Sequence, residues 1–414
     1  MPELLSPAGN FEKLKAALLY GADAVYLAGT AFGMRAAADN FTEEQLQKAI
    51  AYAHAQNKKV YLTVNVLPRT AEYDALRAYL ESLRECPPDA LIVADLGVLT
   101  LAKELLPQVD LHISTQASAV SVAACNAWHK LGAKRVVLAR ELSLAEIRAI
   151  RAGVSRELEL EAFIHGSMCM AYSGRCLLSY YYTDRDANAG KCTQPCRWNY
   201  TGTYTGRITE EKRPQTPLYL EEDARGSYIL SSKDTCMIAH VPELMESGID
   251  SFKIEGRMKS AYYVAVTANT YRMAMDAYAA LGKDFVFDPA WQKELDSVSH
   301  REYATGFYFD DPMREGNFCT VPGYLCEKAY LAAAIAPQAD MCVPNGCFAF
   351  VQRNKFCVGD RVELLTPGKI GQAFSVTALY DETGAPIDAV PHPSMRFSLP
   401  VPFEVRPGDI LRGV

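Results

Sequence analysis

Five of the chain's 12 cysteines fall between residues 169 and 236, and their spacing is the first feature that can do chemistry. In the run HGSMCMAYSGRCLLSYYYTDRDANAGKCTQPCRW, Cys169, Cys176, Cys192 and Cys196 are followed or preceded by Gly166, Gly174 and Gly190. Thiolates are soft ligands, and four that converge suit an iron–sulfur cluster or a structural zinc. Structural zinc usually takes two tight Cys-x₂₋₄-Cys knuckles, and only Cys192 and Cys196 make one. The single knuckle and wide spacing favour a cluster over zinc or unliganded thiols, with all three readings open on spacing alone. Cys236, at a helix start after SSKD, is a reserve ligand or a buried thiol. The remaining seven (Cys86, Cys125, Cys319, Cys326, Cys342, Cys347 and Cys357) are expected to pack as small buried hydrophobes, with no second metal site.

The elements that must position this loop show in the first 255 residues. Short β-rich runs begin near Glu3, Ala24, Val60, Ala90, Leu111, Arg135, Leu158 and Ser251, and amphipathic helical segments separate them. GNFEKL, FTEEQL and ELSLAEI read as helix starts with an Asn, Thr or Ser cap. Eight strands in one βα alternation predict a (β/α)₈ TIM-like barrel over residues 1–284. A cysteine-rich insertion over 166–228 interrupts it, running on into a polar, tyrosine-spotted stretch. A linker over 285–321 follows. The alternating segments of 322–414, between Gly-Asp and Pro-Gly turns, predict a small antiparallel β-barrel.

Composition narrows the function classes. The 414 residues are 49% hydrophobic and 22% charged, which fits a folded chain and excludes collagen-like or disordered ones. No stretch is long and apolar enough for a membrane helix, and an acid stands where a signal peptide carries Lys or Arg. A cytoplasmic location is expected. With 42 basic and 49 acidic residues the net charge is −7, so any nucleic-acid contact is a local patch.

In such a barrel the C-terminal strand ends face the pocket. Asn65, Gln116, Arg140, His165, Lys253, Glu255 and Arg257 all fall there. Lys253, Glu255 and Arg257 share one parity, with Phe252 and Ile254 on the opposite side. They read either as active-site groups or as an internal ion-pair set closing the barrel. His165, close before Cys169, is a candidate acid or base beside Lys253 and Glu255, or a structural histidine. The His-Glu-x-x-His and Gly-x-Ser-x-Gly motifs of hydrolases are absent, as are Walker and dinucleotide fingerprints.

The run EAFIHGSMCMAYSGRCLLS, Glu161 to Ser179, resembles the signature of the collagenase-like peptidase family U32. ELLSPAG with YGADAVY, STQA at Ser114–Ala117, LARELS at Leu138–Ser143, SSKD and KIEGRMKSAYY at Lys253–Tyr263 extend the resemblance over nearly the whole chain. CMAYSGRCLLS followed by GKCTQPCRW is most similar to the branch engaged in prephenate-dependent hydroxylation of tRNA uridine. That resemblance implies a 4Fe–4S cluster on Cys169, Cys176, Cys192 and Cys196, and prephenate as co-substrate. The implied product is 5-hydroxyuridine at the wobble position of a tRNA anticodon loop. Relatives acting on rRNA or a quinone precursor share the core motifs, and peptidase activity is the alternative from another class. Guanidinium groups grip carboxylates bidentately, so Arg35, Arg140 and Arg257 are the candidate clamps for prephenate. Tyr180–Tyr182 and Arg197–Trp198 are candidates for stacking on an anticodon base. A homologous partner subunit or a homodimer is the assembly the resemblance allows for.

Overall fold

Eight apolar runs form the expected strands: β1 (Glu3–Pro7), β2 (Ala24–Leu27), β3 (Lys59–Val64), β4 (Ala90–Val93), β5 (Asp110–Ile113), β6 (Arg135–Val137), β7 (Glu159–Ser167) and β8 (Ser251–Ile254). In this computed structural model they pair in parallel in chain order, and β8 pairs with both β7 and β1, closing the barrel. The structure describes residues 1–34, 39–169, 174–176, 178–183, 185–187, 190–197, 206–208, 218–223, 226–228, 232–309, 319 and 324–414. Helices α1 (Phe11–Leu19), α2 (Glu43–His54), α3 (Tyr73–Ser82), α4 (Leu96–Leu105), α5 (Val122–Lys130) and α6 (Leu144–Gly153) alternate with the strands in the chain. Two of the expected starts are capping boxes: Thr42 with Gln45, and Ser143 with Glu146. Each satisfies amide donors that a helix N-terminus leaves open.

The insertion carries a short helix, α7 (Leu178–Thr183), and a three-residue helical turn at Pro195–Arg197. Within the polar stretch, three strands at Gly206–Ile208, Leu218–Asp223 and Gly226–Tyr228 form an antiparallel sheet. Asp234–Cys236 pairs antiparallel with the end of β7 and parallel with Tyr303–Ala304. Helix α8 (Val241–Met245) then leads to β8. No helix among the described residues is long and apolar enough to cross a membrane.

The chain folds as two compact units that are discontinuous in sequence. One comprises 1–11, 23–258 and 300–324; the other comprises 12–22, 259–299 and 325–414. The linear division at 284 and 321 follows the order of elements, whereas these units follow three-dimensional contact. The first holds the barrel strands. Its interior is mixed: Leu5, Ala24, Tyr26, Tyr61, Ala90 and Ile92 pack together, while Arg135 pairs with Glu3 (2.7 Å), Glu159 (2.7 Å) and Glu161 (3.0 Å). Lys253 continues the set onto Glu161 at 2.7 Å. His112 lies edge-on to Tyr61, and burial, aided by the charges of Arg135 and Lys253, holds its pKa far below the usual histidine value.

The second unit contains α9 (Ala261–Leu281), capped by Ser260, α10 (Pro289–Asp296) and eight antiparallel strands. These are β9 (Tyr330–Ala334), β10 (Cys347–Gln352), β11 (Arg361–Leu365), β12 (Gln372–Ser375), β13 (Leu379–Asp381), β14 (Pro386–Ile387), β15 (Arg396–Pro400) and β16 (Ile410–Gly413). They lie in the order β12-β11-β16-β9-β10-β15-β13-β14 and curl around Phe350, Phe356, Val362, Leu364, Phe397 and Leu411. Arg412, buried on β16, ties α10 to β11 through Glu294 (2.7 Å) and Glu363 (2.7 Å).

Asp409 in this unit is fully buried, and burial pushes its pKa up to about 6. The raised value means that the folded state disfavours the ionised carboxylate. The penalty is therefore complete above about pH 6 and fades as pH falls towards the unfolded carboxylate value. Asp409→Asn is expected to stabilise the protein by about 1–3 kcal/mol at pH 8. That gain should vanish near pH 4. Urea unfolding at the two pH values checks this; an equal gain at both would refute it.

Candidate functional site

The C-terminal ends of the barrel strands open into a cavity of about 450 Å³. Its floor takes Tyr26 from β2, Thr63 from β3, Ile92 from β4, Val137 from β6, Phe163 from β7 and Lys253 from β8. Asn65, Gln116, Arg140, Glu255 and Arg257 line its wall just beyond the strand ends. Cys169, Cys176, Cys192 and Cys196 line it too, from the insertion. Chain segments from Tyr26 to Arg257 thus meet because parallel barrel strands all end on one rim.

Several wall residues are held by the backbone around them. Asn65 accepts from the Met34 amide (3.1 Å) and donates to the Ser114 hydroxyl (3.2 Å). Gln116 sits in the turn Thr115–Ala117, whose cap is Ser114. Gly174 has a positive φ of 76°, and a Cβ there would collide with the Gln116 carbonyl. Only glycine lets the cysteine loop close against this wall. The Tyr26 hydroxyl lies 3.0 Å from the Ile254 carbonyl and 3.1 Å from Glu255 Oε2. The Lys253 ammonium packs over the Tyr26 ring (4.4 Å) and the Phe163 ring (5.4 Å).

Lys253, Glu255 and Arg257, which share strand parity, all line the cavity. Lys253 also belongs to the internal ion-pair set through Glu161, so both readings of this residue describe part of its environment. His165 does not line the cavity. The register between β7 and β8 shifts at this point: Phe163 pairs with inward-facing Lys253, but His165 pairs with Ile254. A residue paired with an outward position faces outward, and the His165 ring lies 5.4 Å from Tyr303. Arg35, Trp198 and the side chains of Tyr181 and Arg197 lie outside the described residues. Tyr180 and Tyr182 are exposed.

Sequence reasoning overlooked other cavity residues, among them Tyr26, Thr63, Ser114 and Arg175. Arg175 had a signal, its position directly before Cys176. Thr63 had none, since a threonine in a strand is ordinary; here it is buried and its hydroxyl has no hydrogen-bond partner among the described residues.

None of the 12 cysteines is in a disulfide. Of the seven expected to be buried, Cys125 is; Cys326 and Cys342 are exposed, because both lie in loops flanking strands. Cys236 is buried opposite His165 and does not reach the cavity. Among the described residues, no three His, Cys, Asp or Glu side chains stand close enough together to hold a metal ion as placed. The chemistry of the donor set nevertheless fits a thiolate-bound cluster. Cys192 Sγ accepts from the Gln194 amide (3.4 Å), and Cys169 Sγ accepts from Arg140 Nη2 (3.2 Å), as ligand sulfurs do. Burial raises the Cys176 pKa, and Cys169 and Cys192 are near enough to raise it further. For Arg140, burial opposes the charge, but Cys169 and Glu255 together hold its pKa above the usual arginine value.

Against known families, residues 9–317 match the model described as Peptidase family U32, and residues 334–412 match the Peptidase family U32 C-terminal domain. The chain belongs to peptidase family U32. This U32 chain is 38% identical over 411 residues to tRNA hydroxylation protein P1 of Bacillus subtilis, covering 99% of this chain and 94% of that protein. It is 38% identical over 442 residues to tRNA hydroxylation protein P of Escherichia coli, covering 98% and 94%. It is also 30% identical over 424 residues to a collagenase of Porphyromonas gingivalis, covering 99% and 97%.

Proposed function

We propose that this U32 chain is a tRNA-modifying enzyme that hydroxylates the wobble uridine to 5-hydroxyuridine, with prephenate as co-substrate. The observation that carries the reading is four cysteines lining one barrel-mouth cavity together with Arg140, Arg175 and Arg257, in a chain alike end to end to two tRNA hydroxylation proteins. Cys169, Cys176, Cys192 and Cys196 would hold a 4Fe–4S cluster. Bound there, a cluster supplies redox or Lewis-acid chemistry at the mouth of the cavity.

The chain's own residues account for the rest. Arg175 and Arg257 put guanidinium groups where a dicarboxylate can be gripped. Ile92, Val137 and Phe163 offer an apolar floor for a six-membered ring, and the Thr63 hydroxyl supplies a polar contact within it. Glu255 and Lys253 are the groups placed to hold or move a proton beside such a ligand. An anticodon base is already unpaired, which lowers the cost of turning it into the cavity, and exposed Tyr180 and Tyr182 offer stacking faces at the insertion. The arginines make a local basic surface on a chain whose net charge is −7.

The peptidase alternative rests on the likeness to the collagenase. A thiol nucleophile in this cavity would need an imidazole beside it, and His165 does not line the cavity. Nucleoside mass spectrometry of tRNA from a strain lacking the gene, and any redundant pathway, tests the proposal. Loss of 5-hydroxyuridine derivatives, restored by the intact gene, is expected. Unchanged levels would refute it, and cleavage of peptides by cluster-free protein would support the alternative.

A further inference from the structure

We propose that Arg140 is a positioning residue that holds the Cys169 sulfur and tunes the electron affinity of what that sulfur binds, and is not a carboxylate clamp. This rests on the cluster reading above. Arg140 lies in the loop after β6, and three contacts fix its guanidinium. Nη1 donates to the Ser167 carbonyl (2.8 Å), Nη2 donates to Cys169 Sγ (3.2 Å), and the guanidinium lies over the Phe163 ring at 5.1 Å. Each terminal nitrogen spends one N–H on the segment that carries the cysteine, and Nε is buried, so the guanidinium is held against that segment. Arg175 and Arg257 line the same cavity and are the arginines proposed above to meet an anionic substrate.

The chemistry of this contact is directional. A cation donating to a ligand sulfur stabilises negative charge on it, and so favours the reduced over the oxidised cluster. The Gln194 amide makes the corresponding contact to Cys192, but it is neutral and longer, at 3.4 Å. A charge-assisted bond is the stronger of the two, so Arg140 is the dominant electrostatic influence among these sulfur contacts.

The test uses full-length protein purified and reconstituted without oxygen, with iron and sulfide assays and a redox titration followed by electron paramagnetic resonance. In Arg140→Met the potential is expected to shift to more negative values. In Arg140→Lys, which keeps the charge, it should lie between the variant and wild type. The KM for prephenate should stay within about twofold of wild type in Arg140→Lys. Loss of iron from Arg140→Met with retention in Arg140→Lys also supports the role, because the lysine restores only a cationic donor. A full cluster at the wild-type potential in Arg140→Met overturns it. So does an unchanged potential with KM raised about tenfold, the behaviour of a clamp, and so does loss of iron from both variants, which marks a residue needed only for folding of the loop. Wild-type protein without iron and sulfide would fail the cluster reading itself, independently of either variant.

Discussion

Replacing Cys176 or Cys192 by alanine is expected to abolish both iron binding and tRNA hydroxylation, whereas Cys236→Ala leaves both near wild type. The contrast follows from position. Cys176 and Cys192 line the barrel-mouth cavity, on a loop that Gly174 lets close against the Gln116 carbonyl. Cys236 lies on a strand paired with the C-terminal end of β7 and does not line that cavity. A Cys₄ site that loses one thiolate keeps neither its charge nor its coordination number. Partial compensation by Cys236 would require its whole strand to leave β7. Iron and sulfide assays on the purified variants, with nucleoside mass spectrometry of tRNA from complemented strains, give the two readouts. Wild-type iron in Cys176→Ala and Cys192→Ala would show that the ligand set is wrong. Loss of iron with hydroxylation retained would detach the cluster from the reaction.

What could be read without coordinates was what is local in the chain. Apolar strand runs, capping residues and the order of alternation are set within about ten residues, so the barrel strands and the Thr42 and Ser143 helix starts were legible. The cavity wall was legible for a related reason, since a strand's end and its parity place a side chain on the rim. His165 shows where that logic stops. Its facing is decided by a register shift between β7 and β8, a property of two strands nearly a hundred residues apart. Arg140 was visible as a cation at a strand end, but its sulfur partner is visible only in three dimensions. The internal charges were missed for another reason. Glu3, Arg135 and Glu161 sit in strands otherwise apolar, and a partner for each exists only after the barrel closes.

Glu161→Gln is expected to destabilise the protein by about 3–5 kcal/mol, because it breaks a fully buried ion pair and leaves the cations behind. Glu161 accepts from Arg135 (3.0 Å) and from Lys253 (2.7 Å) on opposite oxygens. Arg135 keeps Glu3 and Glu159, so most of the cost falls on Lys253, whose ammonium loses its charged partner and keeps a neutral amide oxygen and the faces of Tyr26 and Phe163. Those cation–π contacts are present in the wild type as well, so they do not offset the loss. Replacing both partners with apolar residues of similar volume, as in Glu161→Leu with Lys253→Met, should recover most of the loss. Urea unfolding of the two single variants and the double variant measures this coupling. A cost under about 1 kcal/mol for Glu161→Gln would show that the pair contributes little to the barrel. The recovered double variant also separates the two roles of Lys253, since it restores the barrel but removes the only lysine among the described residues that line the cavity. If Lys253 serves the ligand as well as the fold, this variant will unfold like wild type and fail to hydroxylate tRNA. If it serves the fold alone, the variant will do both.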